Sequence, residues 1–237
     1  MKKEVTIQAK DGGTFTAHVA FPDTDLPAPG IVVIQEVFGV NRNMRKVCEH
    51  LSQAGYIAIC PDLFWRQEAG VQLDDKNEVD YAKAMKLYQG FDVDKGIDDL
   101  KATLAYIRKD KECTGKAATM GYCLGGKLAF LMAARSDADC NISYYGGGID
   151  KLLGEAKKIK KPLLMHIGEN DRSIPLEAQR DILDEMNHMK NVEIHVYPGV
   201  DHAFARMGGQ NYDKEAAHQA NYRTADFLAV CLSRKGK

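Results

Sequence analysis

The first twenty residues place apolar side chains at every second position. Val5 and Ile7 form one such run, and Phe15, Ala17, Val19 and Phe21 form another, with Asp11-Gly12-Gly13 between them. Period-two patterning around a glycine turn predicts an antiparallel hairpin with one exposed face. The proline-rich connection Pro22 to Pro29 ends this pattern. Gly30-Ile31-Val32-Val33-Ile34 follows as a continuous apolar run, as expected of a strand covered on both faces. From there strand-like and helix-like segments alternate. Met44, Val47, Cys48, Leu51 and Ala54 recur at helical spacing over 42–54, and Gly55 stands where a helix would stop. Tyr56 to Cys60 reads as a strand. Val93, Ile97, Leu100, Leu104 and Ile107 make 92–109 an amphipathic helix. Ala117 to Met120 is a strand and Gly125 to Arg135 a helix. Asn141 to Tyr145, Pro162 to Ile167 and Val192 to Tyr197 are strands, with helices at Pro175 to Lys190 and 213–232.

Such alternation predicts an α/β fold: a mostly parallel eight-stranded sheet, an N-terminal antiparallel hairpin, and helices on both faces. No repeat or linker divides the 237 residues, so a single domain over 1–237 is expected. Residues 62–91 do not fit the alternation. They carry Trp65, Tyr81 and Tyr88 and are too long for an ordinary connection. They read equally as a lid over a site or as a crossover with a surface helix.

Charge and cysteines narrow the function classes. Thirty-two Lys and Arg against 33 Asp and Glu leave a net charge of −1, which argues against a nucleic-acid partner held by a basic field. No apolar run is long enough for a membrane span, and polar Glu4, Gln8, Lys10 and Asp11 interrupt any signal-like segment. The six cysteines lie far apart without a C-x-x-C pair. They read as reduced thiols of a cytoplasmic protein, with no metal or cofactor implied.

One cysteine stands apart. Gly121-Tyr122-Cys123-Leu124-Gly125-Gly126 lies between a predicted strand and a predicted helix, the context of a nucleophile elbow. A tight turn needs small neighbours, hence the glycines two before and two after. The helix that follows aims its positive end at the thiol. This composition would produce G-x-C-x-G by chance only about 0.05 times. Asp171 follows the strand ending at Gly168, and His202 follows the strand ending at Tyr197. Nucleophile, acid, histidine is the chain order of α/β-hydrolases, and each candidate lies past the carboxyl end of a strand, where open α/β sheets build sites. In that architecture the loop after the Gly30–Ile34 strand supplies an oxyanion N–H. Here that donor is Val37, opposite the N–H of Leu124. The carboxylate of Glu36 beside a thiol is odd, because a negative neighbour opposes thiolate formation.

The segments Gln35-Glu36-Val37-Phe38-Gly39, Cys60-Pro61-Asp62-Leu63, Gly121 to Gly126, Tyr144-Tyr145-Gly146, Gly168 to Asp171 and His202-Ala203-Phe204 with Arg206 closely resemble the dienelactone hydrolase family of cysteine hydrolases. The resemblance covers essentially the whole chain and implies the α/β-hydrolase fold. It makes Cys123 the nucleophile, His202 the general base and acid, and Asp171 its orienter. It also gives Glu36 a role, holding the resting thiol and taking its proton when substrate binds. Arg206 matches an arginine that binds a substrate carboxylate. Phe38, Tyr81, Met85, Tyr88 and Tyr144 match positions that line the substrate pocket.

At several of these positions the chain departs from the family. Tyr81 stands where a second carboxylate-binding arginine is found, Met85 and Tyr88 where a tyrosine and a tryptophan are found, and Ala203 where a serine is found. Lys83 offers a point cation in place of the missing fork. The expected function is hydrolysis of small lactones or carboxylic esters by a monomer or small homo-oligomer. The alternatives are a catalytically silent ligand binder on the same fold and a redox sensor acting through Cys123.

Overall fold

The computed structural model describes residues 1–233. Its contacts cluster into two compact units, Met1–Thr119 and Met120–Lys237. The first unit opens with the predicted hairpin. Strands β1 (Lys2–Gln8) and β2 (Thr14–Ala20) pair antiparallel from Lys2 opposite Ala20 to Gln8 opposite Thr14. β2 also pairs antiparallel with β4 (Ile57–Pro61), and β4 runs parallel to β3 (Ala28–Ile34). The apolar run of β3 is buried as its pattern required, with Ile31, Val32, Val33 and Ile34 wholly shielded. Each such side chain contributes roughly 1.5–3 kcal/mol on burial.

Helix α1 (Arg42–Gln53) packs on β4. Asn41 caps it by accepting from the N–H groups of Asn43 and Met44, which satisfies donors the helix leaves open. Gly55, at a φ of +93°, releases the chain into β4. Helix α3 (Val93–Arg108) buries Ile97, Leu100, Leu104 and Ile107, the stripe its spacing predicted.

Residues 62–91 fold on the first unit and contain helix α2 (Glu78–Gln89), capped by Asn77. Of this helix only Ala84 and Leu87 are buried. Asp62 anchors the segment by accepting from the Phe64 and Gly70 N–H groups at 3.0 and 2.7 Å. Leu73 N–H donates to the Phe38 carbonyl at 2.9 Å. The segment thus includes the surface helix that the crossover reading expected.

The second unit carries β6 (Asn141–Tyr144), β7 (Leu163–Gly168) and β8 (Val192–Tyr197), all parallel. Helices α4 (Leu124–Arg135), α5 (Leu176–Met186) and α6 (Lys214–Leu232) accompany them. Strand β5 (Cys113–Tyr122) begins in one unit and ends in the other. The eight strands form one sheet in the order β1-β2-β4-β3-β5-β6-β7-β8.

Three departures from the pattern exceed two residues. β5 starts at Cys113 rather than Ala117, because its first four residues are partly exposed and carry no apolar run. α5 stops at Met186, four residues early. A 3-10 helix at Asp150–Lys158 had no periodic signature. Among the described residues, no helix is long and apolar enough to cross a membrane.

Candidate active site

The turn between β5 and α4 is dictated by sterics. Cys123 is the N-cap of α4 and holds φ +56°, ψ −114°. A side chain pays on the order of 1–3 kcal/mol for such a conformation, so it persists only where its surroundings enforce it. A Cβ on Gly121 would run into the Gly125 carbonyl, and one on Gly126 into the Tyr144 carbonyl. Cys123 N–H donates to the Tyr144 carbonyl at 3.0 Å, and the Cys123 carbonyl accepts from the Gly126 N–H at 2.9 Å. The thiol is therefore held out on a rigid corner, partly exposed. Leu124 opens the helix, where backbone N–H groups lack intrahelical acceptors.

Asp171 and His202 meet because β7 and β8 are adjacent. The ends of the two strands are stitched by Glu169 N–H to the Tyr197 carbonyl and Asn170 N–H to the Val200 carbonyl, both at 2.9 Å. His202 Nδ1–H donates to Asp171 Oδ1 and Oδ2 at 3.0 and 2.9 Å. Asp171 is buried and also accepts from the Ser173 N–H at 2.7 Å. The other side of the imidazole faces the Cys123 sulfur within hydrogen-bonding reach. Burial by itself would lower the His202 pKa. Interactions with Cys123 and with Asp171 outweigh burial and push it up to about 11. Such an imidazole carries its proton at neutral pH beside the sulfur.

Several supporting residues gave no signal in the sequence. Asp201 accepts from the His202 backbone N–H at 2.6 Å and is itself gripped by Arg172 at 2.7 Å. Asn211 Nδ2 donates to the His202 carbonyl at 2.9 Å. The ring of Tyr145 stands edge to face against His202, with centroids 5.2 Å apart. Only the position of Asp201, directly before the histidine, hinted at such a brace.

The remaining expected site residues divide between the two units. Arg206 lies four residues after His202, half-buried, with its N–H on the Ala203 carbonyl at 2.9 Å. Tyr144, expected to face substrate, is wholly buried. Its hydroxyl donates to Asn221 Oδ1 at 3.0 Å and lies 2.7 Å from Thr224 Oγ1. The side chain thus faces α6 and offers no surface to a ligand, while its backbone carbonyl accepts from the Cys123 N–H. In the first unit, Glu36, Val37 and Phe38 follow β3 and are buried. Tyr81 is half-exposed, its ring 6.3 Å from that of Phe38. Met85 and Tyr88 lie partly buried one and two turns further along α2. Lys83, the expected point cation, pairs its ammonium with Glu68 at 2.6 Å on the surface.

The sequence model of the dienelactone hydrolase family matches residues 15–232. A protein of Azospirillum brasilense, provisionally named a carboxymethylenebutenolidase, is 49% identical over 225 residues, 95% of this chain and 97% of its own. The carboxymethylenebutenolidase of Pseudomonas putida is 41% identical over 98% of both chains. A crystal structure from Klebsiella pneumoniae, provisionally named a dienelactone hydrolase, superposes with a TM-score of 0.86 at 27% identity over 99% of both chains. An α/β-hydrolase from Penicillium, at a TM-score of 0.72 and 14% identity, shares the fold. The chain belongs to the dienelactone hydrolase family, and it is a hydrolase.

Proposed function

We propose that the protein hydrolyses small lactones or carboxylic esters with a Cys123–His202–Asp171 triad. The observation that carries this reading is the imidazole of His202, with one side on both oxygens of Asp171 and the other on the sulfur at the strained turn. In the proposed cycle the Cys123 sulfur attacks the carbonyl carbon. Negative charge gathers on the carbonyl oxygen and is met by the N–H of Leu124 and, on the family's pattern, that of Val37. The C–O bond breaks, and the imidazolium protonates the departing oxygen. Water then gives a proton to His202 and adds its hydroxide to the acyl carbon. The C–S bond breaks and the acid leaves. Glu36 takes the thiol proton on substrate binding and returns it at the end, again on the family's pattern.

The reading extends to a carboxylate on the substrate, received by Arg206, whose planar fork suits that group. It also takes the 1–237 chain as one working domain, with 62–91 as the segment that selects substrate through Phe38, Tyr81, Met85 and Tyr88. All six cysteines are free thiols, which supports a reducing, cytoplasmic setting. The chain would work as a monomer or small homo-oligomer.

Cys123→Ala is expected to lower kcat on p-nitrophenyl acetate by about 10⁴-fold or more. A rate near that of the unaltered protein would end the triad reading. Arg206→Ala is expected to raise KM for carboxylate-bearing esters about tenfold and to leave neutral esters within about twofold. Equal losses on both classes would remove Arg206 from substrate binding.

A further inference from the structure

Backbone strain singles out one residue that the catalytic cycle does not use. Among the described residues, the non-glycine residues with positive φ are Cys123 at +56°, Tyr145 at +40° and Ala203 at +63°. Cys123 is the proposed nucleophile, and Ala203 directly follows His202. Left-handed backbone in a bulky aromatic residue is an outlier, and such strain collects at functional sites. Tyr145 is held in it from several sides. Its N–H donates to the His166 carbonyl at 2.8 Å, and its side chain is wholly buried. Its ring meets those of Phe204, Tyr144 and Tyr122 at 5.5, 6.0 and 6.1 Å. The contact that links it to chemistry is the His202 imidazole, 5.2 Å away at an interplanar angle of 64°.

We infer that Tyr145 is a positioning residue for His202, its ring fixing the rotation of the imidazole. The inference rests on the triad reading. An imidazole held at Nδ1 by a carboxylate can still swing about its Cβ–Cγ bond, and a packed ring beside it removes that freedom.

The test compares Tyr145→Phe, Tyr145→Leu and Tyr145→Met, with Cys123→Ala as reference. Two quantities are read: kcat and KM on p-nitrophenyl acetate, and the thermal midpoint. Tyr145→Phe keeps the ring and is expected to stay within about twofold of the unaltered kcat. Tyr145→Leu and Tyr145→Met remove it and are expected to lose about tenfold in kcat with KM within about twofold. Unchanged kcat in a folded variant without the ring, or an equal loss in Tyr145→Phe, overturns the inference. If Tyr145→Leu does not fold, Tyr145→Met decides. If Cys123→Ala retains the unaltered rate, the triad reading has failed. If it is inactive and the Tyr145 variants behave like the unaltered protein, only the positioning role has failed.

Discussion

The turn from Gly121 to Gly126 and the segment 62–91 are built by opposite means. In the turn, two glycines leave no space for a Cβ, and the backbone of Cys123 is forced into a conformation it would not choose. The position of Cys123 is thus set by backbone sterics and hydrogen bonds, which tolerate almost no substitution. In the segment, α2 buries only Ala84 and Leu87, while Val79 is 78% and Tyr81 52% exposed. Its attachments are a few hydrogen bonds from Asp62 and around Phe38 and Leu73. The proposed chemistry resides where the chain is over-determined. The residues assigned to substrate choice sit where side chains can change without unmaking the fold. The departures from the family pattern, Tyr81, Met85 and Tyr88, fall in the second kind of region.

This contrast can be broken most easily at the turn. Gly126→Ala is expected to cost at least about 3 kcal/mol and to abolish turnover, because the new methyl has only backbone to displace. Urea unfolding and an ester assay read both effects, and an active, stable Gly126→Ala would refute the steric account.

A smaller effect concerns protonation. The folded-state pKa of His202 stands above its ordinary value of 6.5, at about 11, so its proton favours the fold. That contribution is complete below pH 6.5 and is lost as pH rises toward 11. The difference in unfolding free energy between the unaltered protein and His202→Gln is therefore expected to shrink between about pH 6 and pH 10. A difference that stays constant or grows would contradict the ion-pair environment.

The smallest effect belongs to the segment. Lys83→Ala removes an exposed ion pair with Glu68 and is expected to change stability by less than about 0.5 kcal/mol. It is also expected to leave KM for acidic esters unchanged. A raised KM would mean that Lys83 does serve as the missing cation.

Much of this molecule was legible as sequence. The hairpin, the buried run of β3, the stripe of α3 and the strands β6 to β8 follow from period and burial alone. The elbow was legible because Gly121 answers a local steric demand, set by the Gly125 carbonyl; the demand on Gly126 comes from Tyr144 and Gly146. The pairing of Asp171 with His202 was anticipated from chain order, since both follow neighbouring parallel strands. What remained hidden depends on contacts between residues distant in sequence. Tyr144 and Tyr145 are adjacent tyrosines with nothing local to separate them. Yet one sends its hydroxyl to α6, and the other lays its ring on the histidine. The ion pair that occupies Lys83 joins residues fifteen apart.

The sequence by itself thus determined the alternation of elements, the tight turn that carries Cys123 and the order in which Asp171 and His202 follow it. All of these are written in local period, local sterics and position after a strand. The tertiary structure alone decided which of two neighbouring tyrosines lies against His202, that Cys123 and Asp171 raise the imidazole pKa against the effect of burial, and that Lys83 pairs with Glu68. These depend on distances and desolvation, which exist only once the chain has packed.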